Sequence, residues 1–117
     1  MTIPKVLFIV SGDPRTSPRP AEAIRIAAGI GAWKKAEVSV YLEAPAVCAL
    51  GEFVDDLVDE DNFTRYLPII RDWGRPVWVE QGASDLADLG EATAPYEEIP
   101  SAELARRIAA STYVLRF

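Results

Sequence analysis

Short apolar blocks alternate along this chain with longer stretches that have helical periodicity. The run 5–10, KVLFIV, is apolar after its first residue, which is typical of a strand covered on both faces of a parallel sheet. The segment 37–43, EVSVYLE, alternates between apolar and polar positions and predicts a second strand. Three further strands are predicted at residues 76–80, 96–99 and 112–117.

The first predicted helix is apolar on nearly all sides. It covers residues 21–35, and its main apolar face consists of Ala23, Ile26, Ile30 and Trp33. The remaining positions are largely alanine, isoleucine and glycine, so few residues are left to face water. A helix of this kind is buried on more than one side. Because one small domain offers little cover, we expect the second covering surface to be another subunit, in a homo-oligomer built as a dimer, a trimer or a larger assembly.

A second helix is predicted from Asn62, a good N-cap residue, to Trp73. Pro68 lies inside this pattern and either kinks the helix or marks its true start, and Gly74 is suited to ending it. The preceding segment 51–61 carries six acidic residues and is expected to be a mobile or weakly helical surface excursion. It lacks the ligand spacing of a calcium-binding loop, so we expect it to face water or a basic partner.

Two shorter helices complete the pattern, one over residues 84–89 and one over residues 102–110. Ser101 is the expected cap of the last helix, and its inward positions are Leu104, Ala105 and Ile108. Strands that alternate with helices at this spacing predict an α/β fold. We expect a three-layer α/β/α sandwich around a mainly parallel sheet of about five strands, in a single domain over residues 1–117.

Composition excludes several classes of function. Eighteen acidic residues against twelve basic ones give a net charge of −6, the wrong sign for binding to nucleic acid or to an anionic lipid surface. The chain has no histidine, which removes the Ser-His-Asp and Cys-His nucleophile systems and the usual zinc sites. No signal peptide or membrane span is visible. We expect no nucleic acid, no membrane, no metal and no cofactor.

The single cysteine, Cys48, cannot form an intramolecular disulfide, which fits a reducing cytoplasm. It is either a sulfur-reactive thiol, if helical amides lower its pKa, or a small buried hydrophobic residue between Val47 and Ala49. The acidic segment that follows it disfavours the thiolate, so the second interpretation is the stronger one.

The candidate binding residues lie where the predicted strands end. In open α/β sheets, ligands bind beyond the carboxyl ends of the strands. Here those ends carry the segments 11–13, 43–48 and 80–84. The predicted ligand-binding residues at this rim are Ser11, Gly12, Asp13, Glu80 and Gln81.

Each part of this rim also has a plainer interpretation. The amides of residues 11–13 would meet an anion at a helix N-terminus, where Arg15 and Arg19 attract it and Asp13 repels it. Since no glycine-rich phosphate-binding pattern is present, an ordinary strand-to-helix turn is the alternative. Glu80 is a candidate ligand-binding carboxylate or a general base whose pKa is raised by burial. Otherwise it is a strand-terminal residue that reaches water or an arginine of another subunit.

The layout as a whole resembles the DsrE/DsrF/TusD family of small sulfur-relay proteins. The resemblance rests on KVLFIVSG at the start, the Ala/Gly-rich first helix, EVSVYLE, a helix ending in Trp73-Gly74 before PVWVE, and the terminal STYVLRF. It covers essentially the whole chain. It implies an α/β fold, a cytoplasmic location, oligomers built on dimers or trimers, and, in active members, a persulfide-carrying cysteine just after the third strand.

In this sequence the persulfide position falls at or near Glu80, where no thiol is present. Members of the family often close with an acid and an arginine before two apolar residues and a final Phe. Here Val114, Leu115 and Phe117 match that pattern, and Thr112 and Tyr113 depart from its first half. Only a thiolate accepts and passes on sulfane sulfur. We therefore expect a non-catalytic binding or accessory subunit related to sulfur relay, which works with a protein partner. The alternatives are a sulfur carrier that uses Cys48, which would be a sulfurtransferase-like enzyme, and a small-ligand-binding protein that uses the strand-end rim.

Overall fold

The computed structural model describes residues 3–117 and contains five β-strands and three α-helices. The strands are β1 (Lys5–Val10), β2 (Glu37–Leu42), β3 (Val77–Glu80), β4 (Tyr96–Ile99) and β5 (Tyr113–Arg116). The helices are α1 (Arg19–Ala32), α2 (Glu60–Arg71) and α3 (Ser101–Ala110). Two 3₁₀ helices cover Ala46–Leu50 and Ser84–Asp88. The predicted α/β fold, a three-layer sandwich around a five-stranded sheet, is confirmed.

All strand pairs are parallel, and the strand order in the sheet is β4-β3-β2-β1-β5. Strand β1 lies inside the sheet, between β2 and β5, and it is apolar on both faces because each face of the sheet is covered by helices there. Since the strands are parallel, the loops after β1, β2 and β3 leave the sheet side by side at its carboxyl edge.

The main core lies between the sheet and the pair α1 and α2. Alternate strand residues such as Phe8, Val40 and Val79 point to this face and are buried there. The two helices approach closely at Gly31, where a Cβ atom would overlap the indole ring of Trp73. A side chain at this position would push the helices apart.

A smaller core lies on the opposite face of the sheet, under α3. It contains Leu7, Ile9, Tyr41 and Ile99, against which Trp78, Leu104, Ile108 and Val114 pack while partly exposed. No residue of α3 is buried.

The predicted face of α1 is confirmed in three of its four residues: Ala23 is buried, and Ile26 and Ile30 are partly buried against the main core. The fourth residue, Trp33, lies at the C-cap and is 73% exposed. The helix is covered on a second side as predicted, but the cover is α2 of the same chain. The apolar character of α1 therefore no longer argues for a second subunit.

Helix α2 begins earlier than predicted. Its N-cap is Asp59 in a left-handed conformation, and Asn62 lies inside the first turn, where its side chain donates to the carbonyl of Ala21 at 3.4 Å. Pro68 lies within the helix and does not mark its start. Burial of the apolar face of α2 outweighs the local cost of a proline in a helix. Gly74, with a φ of 78°, turns the chain after the helix.

The prediction for α3 is wrong at two positions. Ser101 is the first helical residue, and the N-cap is Pro100. Ala105 is exposed, because the strip that meets the sheet is formed by Leu104, Arg107 and Ile108.

Candidate functional site

The only cysteine lies at the carboxyl edge of the sheet, in the first 3₁₀ helix after β2. Its neighbours on both sides in this short helix are buried in the main core, so the helix is firmly placed. Cys48 itself is half-buried and lines a cavity of about 370 Å³. The cavity is also lined by Arg15, Phe53 and Asp85, which come from three different loops.

Arg15 connects the loops that follow β1 and β3. Its guanidinium lies 3.4 Å from the Oδ1 atom of Asp13 and 3.3 Å from the Oδ1 atom of Asp85. The same Asp13 oxygen accepts a hydrogen bond of 2.9 Å from the backbone N–H of Arg15. Cys48 comes from the intervening loop after β2, so the parallel order of the strands assembles all four residues. We use the name Cys48 cavity for the space that Arg15, Cys48 and Asp85 line, together with these three residues.

The surroundings of Cys48 favour its neutral form. Burial raises the pKa of the Cys48 thiol, and the nearby Arg15 guanidinium lowers it. The carboxylates of Asp85 and Asp13 raise the pKa again, and the net shift is upward. The rim of the cavity adds further acidic residues, Glu52, Asp56 and Asp88. The thiol is therefore protonated at neutral pH, and only a small fraction is available as a nucleophile.

Of the three residues predicted to bind a ligand in the loop after β1, one lies beside Cys48 and two do not. Asp13 takes part in the cluster beside Cys48, as described above. The backbone N–H of Ser11 donates to the carbonyl of Phe117 at 2.9 Å, which ties the loop to the last residue of the chain. Gly12 packs against the ring of Pro20, which a Cβ atom would approach to 3.3 Å. Ser11 and Gly12 do not line the Cys48 cavity.

Glu80 and Gln81 lie away from the Cys48 cavity. Because successive strand residues point to opposite faces, Val79 enters the main core and Glu80 points to the α3 side of the sheet. There, burial raises the pKa of the Tyr41 hydroxyl, and the negative charge of Glu80 adds to this shift. Gln81 is exposed, and its backbone N–H donates to the carbonyl of Ile99 at 3.2 Å.

Sequence reasoning missed Asp85 and Phe53. Asp85 lies at the start of a 3₁₀ helix, and only the path of the loop after β3 brings its carboxylate to Arg15. Phe53 belongs to the acidic segment and is 82% exposed at the cavity wall. The acidic residues that follow Cys48 in the sequence could have indicated the charge of its surroundings. No pattern in the sequence indicates that Arg15 pairs with Asp85, which lies seventy positions away.

The acidic segment 51–61 is tied to the body of the protein. Four of its backbone N–H groups donate to carbonyls within it or outside it: Gly51 to Cys48, Glu52 to Leu89, Leu57 to Val54, and Val58 to Pro14. It forms turns and joins α2 at Glu60, in place of the weak helix considered from sequence.

A second cavity, of about 390 Å³, lies beside the first. Glu52 lines both cavities, so the start of the acidic segment separates them. Within residues 3–117, no group of three or more His, Cys, Asp or Glu side chains is arranged to hold a metal ion. None of the described helices is long and apolar enough to cross a membrane.

No protein-family model matches this chain, and no curated protein matches it closely enough to count as a relative. Three chains among the solved structures match it. One is the YchN protein from E. coli, whose crystal structure matches with a TM-score of 0.78 at 20% identity, over 97% of this chain and 99% of that one. At such identity the likeness concerns the fold and not the chemistry of the site. The chain therefore shares the fold of YchN.

Proposed function

We propose that the protein is a DsrE-like binding or accessory subunit, related to sulfur relay, that does not itself carry sulfur. The shared fold supports the relationship to this group of proteins. The observation that carries the proposal is the state of the lone thiol: Cys48 is half-buried, and its pKa is raised. In addition, the persulfide position implied by the family resemblance falls at or near Glu80, where the sequence has no thiol.

Sulfur transfer would require the Cys48 thiolate as nucleophile. Among the described residues, Arg15 is the only basic one that lines its cavity, and the guanidinium is shared between Asp13 and Asp85. Its stabilisation of a thiolate is therefore offset by two carboxylates. A neutral thiol in a cavity of this size is a small apolar contact surface, which suits binding better than catalysis.

Intact-mass spectrometry after treatment with a low-molecular-weight persulfide donor tests this proposal. The reduced, folded protein is expected to gain no sulfur atom. The urea-unfolded chain serves as the positive control, because Cys48 is then fully hydrated and free of its neighbours. A gain of one sulfur atom by the folded wild type that is absent from Cys48→Ser would contradict the proposal.

The second candidate function is sulfur carriage by Cys48, which is favoured by the contact of an open cavity with both Cys48 and Arg15. In that reaction, the Cys48 thiolate attacks the outer sulfur of the donor persulfide and forms a Cys48 persulfide. The donor leaves as its thiolate, so no further oxidant or reductant is needed. The same measurement decides between the candidates, and Arg15→Gln would then slow the gain of sulfur.

Ligand binding at the strand-end rim is the third candidate, and for it we propose the Cys48 cavity in preference to Glu80. The convergence of Arg15 and Asp85 there offers both a cation and an anion to a small polar ligand. Retention of a small molecule through purification, lost in Arg15→Gln and kept in Glu80→Gln, is the expected result. The reverse pattern would argue for Glu80.

The proposal includes a cytoplasmic homo-oligomer. The edge strand β5 carries two apolar side chains that face solvent, Tyr113 at 60% exposure and Leu115 at 39%. Exposed apolar side chains on an unpaired sheet edge support association between copies of the chain. Sedimentation at micromolar concentration is expected to give the mass of two, three or more chains, and a monomeric mass would contradict this part.

A further inference from the structure

A groove runs along α2 between that helix and the segments 52–54 and 91–93. We name this cavity of about 390 Å³ the α2 groove. Its apolar lining consists of Val54, Phe63, Leu67, Pro68 and Ala92. Phe63 and Leu67 are each only 1% exposed, so the floor of the groove is the surface of the main core. Its size lies in the range of pockets that hold small ligands or single large side chains.

The rim of the α2 groove is predominantly acidic. Glu52 and Glu91 stand on one side, and Arg71 stands on α2, 3.4 Å from the carboxylate of Asp72. Two further acids, Asp55 and Asp56, follow on the same segment as Glu52. Among the described residues, no ion pair involves Glu52, Asp55, Asp56 or Glu91. This side of the protein therefore complements a positively charged partner.

An exposed aromatic residue, Phe53, lines the adjoining Cys48 cavity, which shares Glu52 with the α2 groove. Phe53, between the groove residues Glu52 and Val54, is 82% exposed. Aromatic residues are enriched among those that dominate protein–protein binding energy, and an isolated small molecule inside the groove would leave Phe53 in water. An extended partner covers both the groove and Phe53. The combination favours a protein segment over a small ligand.

We propose that the α2 groove is the docking site for a basic segment of a partner protein. One apolar side chain of the partner occupies the groove, and flanking lysines or arginines face Glu52 and Glu91. The backbone of the segment crosses Phe53. This inference rests on the proposed accessory-subunit function and specifies the chemistry of the partner.

Amide NMR spectra of the ¹⁵N-labelled protein, titrated with three short peptides, test the proposal. The probe peptide is KKLKK, and its controls are KKGKK, which lacks the apolar anchor, and EELEE, which reverses the charge. The KKLKK peptide is expected to shift the amides of residues 52–56, 63–71 and 91–93. Removing the leucine is expected to weaken binding about tenfold, because a buried leucine side chain contributes that much or more. Added salt is expected to weaken binding of KKLKK.

Two variants connect any binding to the groove. Thr64→Trp, at an exposed position on the groove wall, fills the groove and is expected to abolish the leucine-dependent part of binding. The double variant Glu52→Gln with Glu91→Gln is expected to weaken binding about threefold, as for exposed charge pairs. Glu37→Gln is the matched control, since Glu37 is an exposed acid at the amino end of β2. Thermal unfolding confirms that each variant is folded.

Several results would overturn the proposal: no shift at the groove, equal shifts with EELEE, or unchanged binding by Thr64→Trp. Phenethylamine, a small primary alkylamine that carries a phenyl ring, is a further probe. If it fills the groove as tightly as KKLKK binds, the groove is a small-molecule site and the partner proposal is wrong. Sulfur loading of Cys48 is measured in a separate experiment. A gain of sulfur would contradict the proposed function, whereas the peptide titration alone decides whether the α2 groove binds a basic segment.

Discussion

The two faces of the sheet are covered to different degrees. On one face, α1 and α2 bury a large core, and α2 alone contributes three buried residues. On the other face, α3 lies by itself and contributes none. Arg107 of α3 contacts the sheet through interactions that remain partly exposed. The Arg107 guanidinium lies 4.1 Å from the ring centroid of Trp78 and 3.3 Å from the carboxylate of Glu97.

The α1 and α2 face of the sheet therefore stabilises the fold, whereas the α3 face leaves apolar surface partly exposed. Burial of apolar area is the largest favourable contribution to folding, so the α1 and α2 side carries most of the stability. Exposed cation–π contacts and ion pairs contribute far less. The Cys48 cavity and the α2 groove both rest on the well-packed side, where their walls are held in place.

The largest expected effect is on the well-packed side. Leu67→Ala removes a side chain that is 1% exposed, and it should lower the free energy of unfolding by about 3 kcal/mol. Urea denaturation monitored by tryptophan fluorescence measures this. A loss below about 1 kcal/mol would mean that the main core is loosely packed around α2.

A pair of glycines in α1 tests the contact between the two helices. Gly31→Ala would bring a methyl group into the indole of Trp73 and is expected to destabilise the protein by about 2 kcal/mol. Gly29→Ala is the matched control, because among residues 3–117 its added Cβ atom would meet nothing within 4 Å apart from its chain neighbours and the backbone of its own helix. There the gain in helix propensity should stabilise the protein by about 0.5–1 kcal/mol. Equal effects at both positions would contradict the close approach of the helices.

On the thinly covered side, Leu104→Ala is expected to cost only about 1 kcal/mol, because Leu104 is half-buried. Its comparison with Leu67→Ala measures the difference between the two faces directly. If Leu104→Ala costs as much as Leu67→Ala, α3 is buried by more than the single chain provides. A concentration dependence of that cost would assign the extra burial to a second copy of the chain.

The smallest effect concerns the protonation of Cys48. Its pKa is raised in the folded state, chiefly by burial, so the thiolate fraction at neutral pH is lower than in the unfolded chain. Iodoacetamide should therefore alkylate the folded protein more slowly than the unfolded one. Asp85→Asn should speed the reaction, since it removes a carboxylate that raises the pKa, and Arg15→Gln should slow it.

The same shift gives a stability effect with a definite sign. A pKa raised by folding contributes stability below the unfolded-state pKa, and this stability is lost as pH rises through the folded-state pKa. The wild type should lose more stability than Cys48→Ser on titration to alkaline pH. Identical alkaline titrations would show that folding does not shift this pKa.

Much of the fold could be predicted from the sequence because strand patterns are local. The bounds of β1 and β4 are as predicted, those of β2 and β3 differ by one residue at one end, and β5 is one residue shorter than predicted at each end. The start of α2 was predicted wrongly, because Asn62 has the side chain of an N-cap while the turn at Asp59 begins the helix. On the predicted buried face of α1, Trp33 was wrong, since it follows the last helical turn and is exposed.

The candidate site was less predictable than the fold. The carboxyl edge follows from a parallel sheet, and placing Asp13 and Cys48 on that edge needed only the strand order along the chain. Which residues meet there depends on how each loop bends. Glu80, still within the strand, is directed to the α3 face, whereas Asp85, five residues later, reaches Arg15.

The sequence by itself determined the class of fold and the excluded chemistry. Apolar periodicity specifies strands and helices, and the absence of histidine together with the single cysteine excludes whole classes of catalysis. Only the tertiary structure decided that α2 covers α1, that Asp85 reaches Arg15, and that Phe53 lies exposed at the wall of the Cys48 cavity. The physical reason is the sequence separation of the interacting residues. Secondary structure depends on neighbours in the chain, whereas burial and electrostatics depend on distances between residues that only folding brings together.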